Sequence, residues 1–449
     1  MSTNASNSAG ADQAATEAAY PHWRRNRLAM TFATFHHTTA FGVITPFFPL
    51  ILLEYGVTGR LETWVGYAQG SYFLLSFFLS PLWGAVADHY GRKLMVLRTS
   101  FGMAFVFALL PLMPNLTWFL VLYFFMGTTN GFVPASQALI ATNTPSNRLS
   151  GALSFVQVGV LLGATLGPAF GAGLMHYLPK YTYLMWVATC LICVGGTSAL
   201  ILAREQHTRP KEPFRLHTLR DIKVVVRLPY LKLLFFIYFT NTFTYLGSAA
   251  IVSVFTLDLL NAQGISSGPA VDWWIGAVSL AFTIGSALTV PVWGRLADRF
   301  GGRIILALSL AGAGLMSLLI PLSHNTGQLV AARLLLGMAA VGIGPTALAQ
   351  IKSYAPKGME SRVLAFGAAF GMLGIGGGPF LAGLIGPVFG LRTFFFINSA
   401  LLLLAFVGWS IATTRGAIMD PARLRKRAER MTAAMQTGEA RDSGQQADS

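Results

Sequence analysis

Residues Pro81 to Lys93 read PLWGAVADHYGRK, a stretch that closes one long apolar run, turns on an acid and glycines, and opens the next. It recurs at a constant spacing of 210 residues, where Pro291 to Arg303 reads PVWGRLADRFGGR. Pro81, Trp83, Gly84, Ala87, Asp88 and Gly91 find counterparts in Pro291, Trp293, Gly294, Ala297, Asp298 and Gly301. The echo extends upstream: Glu62 and Trp64 correspond to Asp272 and Trp274, Gly66 to Gly276, and Ser76 to Ser286. A repeat of this length is a duplicated half, not a solenoid unit.

The runs that the motif separates are those of a membrane protein. The 449 residues are 54% hydrophobic and only 11% charged, with a mean hydropathy of +0.57, outside the range of water-soluble domains. Between Thr99 and Asn147 there is no Asp, Glu, Lys, Arg or His. That leaves room for two spanning helices at roughly 20 residues each. Apolar runs occupy Leu28 to Leu53, Thr63 to Val86, Leu94 to Leu112, Thr117 to Ala141, Gly151 to Met175 and Tyr181 to Ala203. A second set follows at Leu233 to Leu257, Trp273 to Gly294, Ile304 to Leu322, Gln328 to Ile351, Val363 to Val388 and Thr393 to Ala412. The expected fold is therefore an all-α membrane protein of 12 transmembrane helices in two six-helix pseudo-repeats. A parallel duplication of this kind places a cargo cavity between the halves near the midplane.

Charge sets the orientation. With the N-terminus inside, 28 of the 32 Lys and Arg fall in cytoplasmic segments and span edges, against Arg60, Lys180 and Arg392 outside and Arg333 within a span. By the positive-inside rule both termini are cytoplasmic. The net charge of +15 would point to nucleic acid in a soluble protein, but the cations are scattered over short loops without interleaved aromatics, so no nucleic-acid partner is expected. The expected organisation is a cytosolic tail at 1–27, a bundle at 28–203, a cytosolic linker at 204–232, a second bundle at 233–413 and a tail at 414–449, in a monomer. Within the last tail, Asp420 and Pro421 start a basic helix with Leu424, Ala428, Met431 and Met435 on one face, suited to an anionic lipid surface.

The opening stretch resembles the G-x-x-x-D-x-x-G-R-[KR] loop signature of the major facilitator superfamily, carried here by Gly84, Asp88, Gly91, Arg92 and Lys93. The resemblance implies a major facilitator fold, alternating access, and a gating latch at these residues and at Gly294, Asp298, Gly301 and Arg303 in the echo. Arg92 and Lys93 also read as residues that only fix topology. Because Gly302 stands where Arg92 stands, the two latches are expected to be unequal, with Asp88 mattering more than Asp298.

In the fifth span, Gly163, Gly167, Pro168 and Gly171 are similar to the motif of the proton-driven drug antiporter branch. Gly374, Gly378 and Pro379 repeat that spacing in the eleventh, which equally suits close helix packing. The first half, from Gly56 through GRKLMVLR to GFVPASQALIAT, also resembles bacterial twelve-span multidrug exporters. That likeness implies a bacterial inner-membrane protein that exports a small organic molecule in exchange for protons. One departure stands out. The branch carries an Arg four residues before a Gly in the fourth span; here Tyr123 precedes Gly127, whereas Arg333 precedes Gly337 one repeat on.

All 17 Asp and Glu fall in tails, loops or span edges, which favours neutral, anionic or zwitterionic cargo. The embedded ionisable residues are His36, His37 and Arg333. A histidine titrates near neutrality and suits proton exchange, although adjacent residues cannot both face a cavity. Arg333 reads either as a binder of an anionic group or as a side chain snorkelling to the interface. Asn130, Gln157, Asn241 and Tyr245 lie on helices that line the cavity in this superfamily, and also read as interhelical hydrogen-bonding residues. No P-loop, GxSxG or zinc pattern is present, and Cys190 and Cys193 lack further ligands, so neither enzyme chemistry, cofactor nor metal is expected. Two other readings are an importer on the same fold and a transport-dead sensor acting through linker and tail.

Overall fold

The computed structural model describes residues 20–145, 148–206, 229–355 and 360–414, and every regular element among them is helical. Each expected span is present. In the first half they run Trp23–Glu54, Leu61–Tyr90, Arg92–Leu112, Leu116–Thr142, Leu149–Leu174 and Tyr181–Leu202. In the second they run Tyr230–Ala262, Pro269–Phe300, Gly302–Ser317, Thr326–Tyr354, Phe366–Phe389 and Leu391–Thr414. The ninth, at 16 residues, is extended toward Ile320 by i to i+3 turns. Most helices overrun their apolar runs at the polar ends. The seventh begins at Pro229, where a missing N–H costs nothing. The basic helix expected after Asp420 lies outside the described residues, as does the linker between 207 and 228.

Four spans that read as continuous apolar runs are interrupted. The first breaks in a 3-10 turn at Thr45–Phe47 around Pro46. The fourth breaks at Met126–Thr129, followed by extended Asn130 and by Gly131 at φ +108°, a left-handed value that suits glycine. The seventh turns at residues 246–248 and the tenth at 341–342. These are the first and fourth helices of each half. In a bilayer, non-helical backbone survives only where protein or a cavity satisfies it, so these breaks mark the interior of each half.

Packing repeats with the sequence. The first span lies along the fifth and sixth and the third along the sixth, while the seventh lies along the eleventh and the ninth along the twelfth. By contacts the described residues form two compact units, one of those up to 206 with Ala249–Thr283, the other of 229–248 with 284–414. In the first unit, Val43, Phe47, Leu50, Ala172 and Leu184 share an apolar cluster with Leu260, Val271 and Ile275. Tyr181 closes the cluster by donating its hydroxyl to Asp272 Oδ1 at 2.9 Å. Beside it the Glu54 carboxylate accepts the backbone N–H groups of Tyr181 and Thr182, at 2.5 and 3.0 Å.

Candidate functional site

The break in the fourth span is where the first unit gathers its polar groups. The sequence Gly127-Thr-Thr-Asn-Gly131 combines weak helix formers with a glycine whose φ unwinds the chain, so the carbonyls of Thr128 and Asn130 leave the helical ladder. Arg98 of the third span takes them both: one guanidinium nitrogen donates to Thr128 O and the other to Asn130 O at 3.2 Å. The same guanidinium lies over the Trp83 ring, 3.9 Å from its centroid. Asn130 donates to Ser76 Oγ of the second span at 2.9 Å, and its own Oδ1 accepts the N–H of Gly131 at 2.8 Å. Gly127 is needed for the approach of these helices, because a Cβ there would stand 2.5 Å from Tyr72 O.

His37 borders this break from the first span. It is buried, stacked on Phe132 with centroids 4.3 Å apart and 13° between planes, with Phe41 at 5.5 Å. Its Nδ1 has no hydrogen-bond partner. His36 is turned away, with Nδ1 2.9 Å from the carbonyl of Phe32 and its ring against Phe32. The helical 100° between neighbours thus separates the two histidines. Gln157 is exposed on the fifth span and joins neither group.

In the second unit Arg333 stands one repeat after Tyr123. Arg333 is 4% exposed, so it does not snorkel, and it lies within electrostatic reach of the buried Tyr245 of the seventh span. Asn241, one turn earlier, has its amide nitrogen 3.4 Å from where a Cβ on Gly344 of the tenth span would sit. Ser286 donates to Gly337 O at 3.2 Å, the counterpart of the contact of Ser76 with the fourth span. Each unit therefore assembles its embedded polar side chains around an interrupted pair of spans.

The signature loop has a different construction from the simple latch. Gly91 adopts φ +103°, ending the second span and starting the third. The carboxylate of Glu205 sits against it and accepts the N–H groups of Arg92 and Lys93 at 2.7 and 2.8 Å, satisfying donors that open a helix. Lys93 Nζ in turn donates to Leu200 O and Ala203 O at 2.8 and 2.7 Å, closing the sixth span. Arg92 donates to Ala138 O and pairs with the largely exposed Asp88 at 3.3 Å. In the echo, Gly302 lies instead under Gln350, and the carbonyl of Arg303 accepts from Trp409 Nε1 at 3.0 Å. Glu205, read in sequence as part of the linker, is thus the acid of the first loop. Glu205→Ala is expected to cost about 1 to 2 kcal/mol, the scale of a lost helix cap. A lower melting temperature and faster amide exchange at Arg92 and Lys93 are the readouts.

The glycines of the fifth span are packing surfaces. A Cβ on Gly167 would lie 2.6 Å from Gly42 Cα, and one on Gly171 2.9 Å from Val43 O. Gly163 presses on Phe35 O, at 2.5 Å from its would-be Cβ. Pro168 lies beside Gly42, whose own Cβ would come 3.1 Å from its ring. Gly378 meets Gly247 in the same way, at 2.9 Å.

Comparison with known proteins gives this geometry a family. The sequence profile of the Major Facilitator Superfamily matches residues 30–279 and 237–436. The multidrug resistance protein MdtG of Salmonella arizonae is 31% identical over 395 residues, covering 87% of this chain and 96% of that protein. MdtG of Escherichia coli is likewise 31% identical, over 87% and 95% of the two chains. Among solved structures, the human organic anion transporter MFSD10 (TETRAN) matches at TM-score 0.67 and 20% identity, over 86% of this chain and 99% of that one. A bacterial homolog of the human lysosomal transporter Spinster, in an inward-facing and unoccupied conformation, matches at TM-score 0.65 and 14% identity, over 91% and 98%. A profile match of this extent, with relatives alike over nearly their whole length, is that of a multi-pass membrane transporter of small molecules and not of an enzyme. The chain belongs to the major facilitator superfamily.

Proposed function

We propose that the protein exports a small organic molecule from the cytoplasm across the bacterial inner membrane, by alternating access and in exchange for protons. The observation that carries export is its likeness to the MdtG multidrug resistance proteins over almost the full length of both chains. The halves at 28–203 and 233–413 act as the alternating bodies, with both termini cytoplasmic and the monomer as the working unit. Cargo binds beside the interrupted spans. All 17 Asp and Glu fall in tails, loops or span edges, which suits neutral or anionic cargo better than a cation.

His37 is the proton carrier in this reading. Its Nδ1 is unpartnered beside Phe132 and Phe41, and is therefore available to exchange a proton when water or cargo enters. His36, facing Phe32, has no part in coupling. Asn130, Asn241, Tyr245 and Arg333 orient the cargo, and the loops at Gly84 to Lys93 and Gly294 to Arg303 open and close the cytoplasmic side.

Everted membrane vesicles test the proposal directly. Imposing an inside-acid gradient is expected to drive accumulation of a fluorescent substrate dye, and a protonophore to abolish it. His37→Gln is expected to reduce gradient-driven accumulation at least about tenfold, the scale of a lost proton-transfer group. Exchange of dye for dye should survive the same change. Accumulation in right-side-out vesicles instead would make the protein an importer. Undiminished gradient-driven accumulation by His37→Gln would move coupling to another group.

A further inference from the structure

In the first unit, an apolar groove of about 540 Å³ opens between the first, fifth and sixth spans at the end nearest the N-terminus. Its walls are Leu28, Phe32 and Phe35 of the first span, Gly159 and Leu162 of the fifth, and Leu202 of the sixth. On the first span these follow the spacing of one helical face, and Arg25 continues that face by one turn. Phe155, Gly159 and Leu162 form a matching stripe on the fifth span. The lining offers a ligand almost nothing polar.

The mouth of the groove is cationic on both banks. Arg25 is tied to the sixth span by a 3.0 Å bond from its guanidinium to Ile201 O, next to the wall residue Leu202. On the other bank, Arg27 is held over the Phe155 ring of the fifth span, 4.2 Å from its centroid, with Nε unbonded. Arg204 is exposed two residues after Leu202, and Lys93 lies within electrostatic reach of Arg25 and Arg204. The carboxylate within reach, Glu205, is engaged by two backbone N–H groups of the third span. Among the described residues no carboxylate pairs with Arg25 or Arg27, and the four cations here outnumber the single acid Glu205. The second half has no equivalent: its first helix opens PYLKLL with one cation, where the first span opens WRRNRL with three.

We propose that this groove is a binding site for one anionic phospholipid. An acyl chain lies between Leu28, Phe32 and Leu162, and the phosphodiester sits between Arg25 and Arg27, whose planar guanidinium groups match phosphate oxygens. Charge complementarity selects the occupant, because a zwitterionic lipid would fill the groove equally well but bring its own cation to a cationic mouth. The site is separate from the interrupted spans and does not depend on the direction of transport.

Native mass spectrometry of the full-length protein, released from detergent after titration with phosphatidylglycerol or phosphatidylcholine of identical chains, tests this. Wild-type protein is expected to retain one phosphatidylglycerol with at least about tenfold preference over phosphatidylcholine, the scale set by two phosphate-facing cations. The double substitution Arg25→Gln, Arg27→Gln should remove the preference, and Leu162→Trp, which fills the groove, should remove retention of that lipid altogether. Equal retention of the two lipids by wild-type protein, or retention unchanged in either variant, overturns the site and leaves ordinary annular lipid. Should a variant fail to fold, photo-crosslinking of wild-type protein with phosphatidylglycerol carrying a photoreactive chain decides. Adducts concentrated in Trp23 to Phe35 and Phe155 to Leu162 support the site, and adducts spread evenly over all spans overturn it.

Discussion

Arg98→Ala is expected to abolish most transport and to lower the melting temperature of the purified protein sharply. The physical reason lies in the fourth span, whose ladder is broken inside the membrane at Gly127 to Gly131. Carbonyls freed at such a break need partners, and an acceptor left unsatisfied costs about 1 to 3 kcal/mol. Arg98 satisfies two of them, at Thr128 and Asn130, and adds a stacking contact with Trp83 worth about 1 kcal/mol. Its removal therefore costs about 3 to 7 kcal/mol, a large part of the roughly 5 to 15 kcal/mol by which proteins are stable. Arg98→Lys should fall between, since a single ammonium cannot bridge both carbonyls and stack on the ring. Differential scanning fluorimetry and dye export at matched membrane levels read out both. If Arg98→Ala melts and transports like the wild type, the break is not held by this side chain.

That residue also marks the limit of what the sequence could tell. The duplication and the spans follow from PLWGAVADHYGRK and its echo, because hydropathy and helical period are local properties and a bilayer admits few solutions. Breaks within spans are not local in the same sense. Gly127-Thr-Thr-Asn-Gly131 vanishes in the average of a spanning window, although three weak helix formers between glycines are the signal that could have revealed it. Arg98 counts in sequence as one more cytoplasmic cation, and only its contact 30 residues away gives it a role inside the protein. Glu205 is legible as a linker acid, but its partners lie 112 and 113 residues earlier. His36 and His37 are adjacent in sequence, and the fold separates them because the first span packs on Phe132 along one face and turns His36 toward Phe32 on another.

The two loops illustrate the same limit from the other side. Their sequences match at six positions, yet a carboxylate caps the first and an amide lies over the second. Equivalent turns have thus acquired unequal electrostatics, because the polar groups against them come from different helices: the end of the sixth span for the first loop and the tenth for the second.

Gly167→Val and Gly84→Ala should then behave in opposite ways, although both residues belong to motifs of the family. At Gly167 a Cβ would lie 2.6 Å from Gly42 Cα and 2.8 Å from Thr39 O, and both obstacles are backbone of the first span. Backbone cannot swing aside as a long side chain can, so the first and fifth spans must separate and lose contact along their whole seam. Forcing extra volume into a packed interior costs about 1 to 3 kcal/mol where side chains give way, and more here. Gly167→Val is expected to leave less than about a tenth of the normal amount of folded protein in the membrane, since each 1.4 kcal/mol is a factor of ten. Gly84, by contrast, has nothing within 4 Å of the position its Cβ would take, and it lies inside the continuous helix Leu61–Tyr90. Alanine there gains about 1 kcal/mol of helix propensity, so Gly84→Ala should melt at or above the wild-type temperature. Should it nevertheless transport poorly, the glycine is needed in a conformation other than this one, where a neighbouring helix closes on its bare face. Normal folding of Gly167→Val, measured by fluorescence-detected size exclusion and melting temperature, would mean that the seam does not hold these spans together.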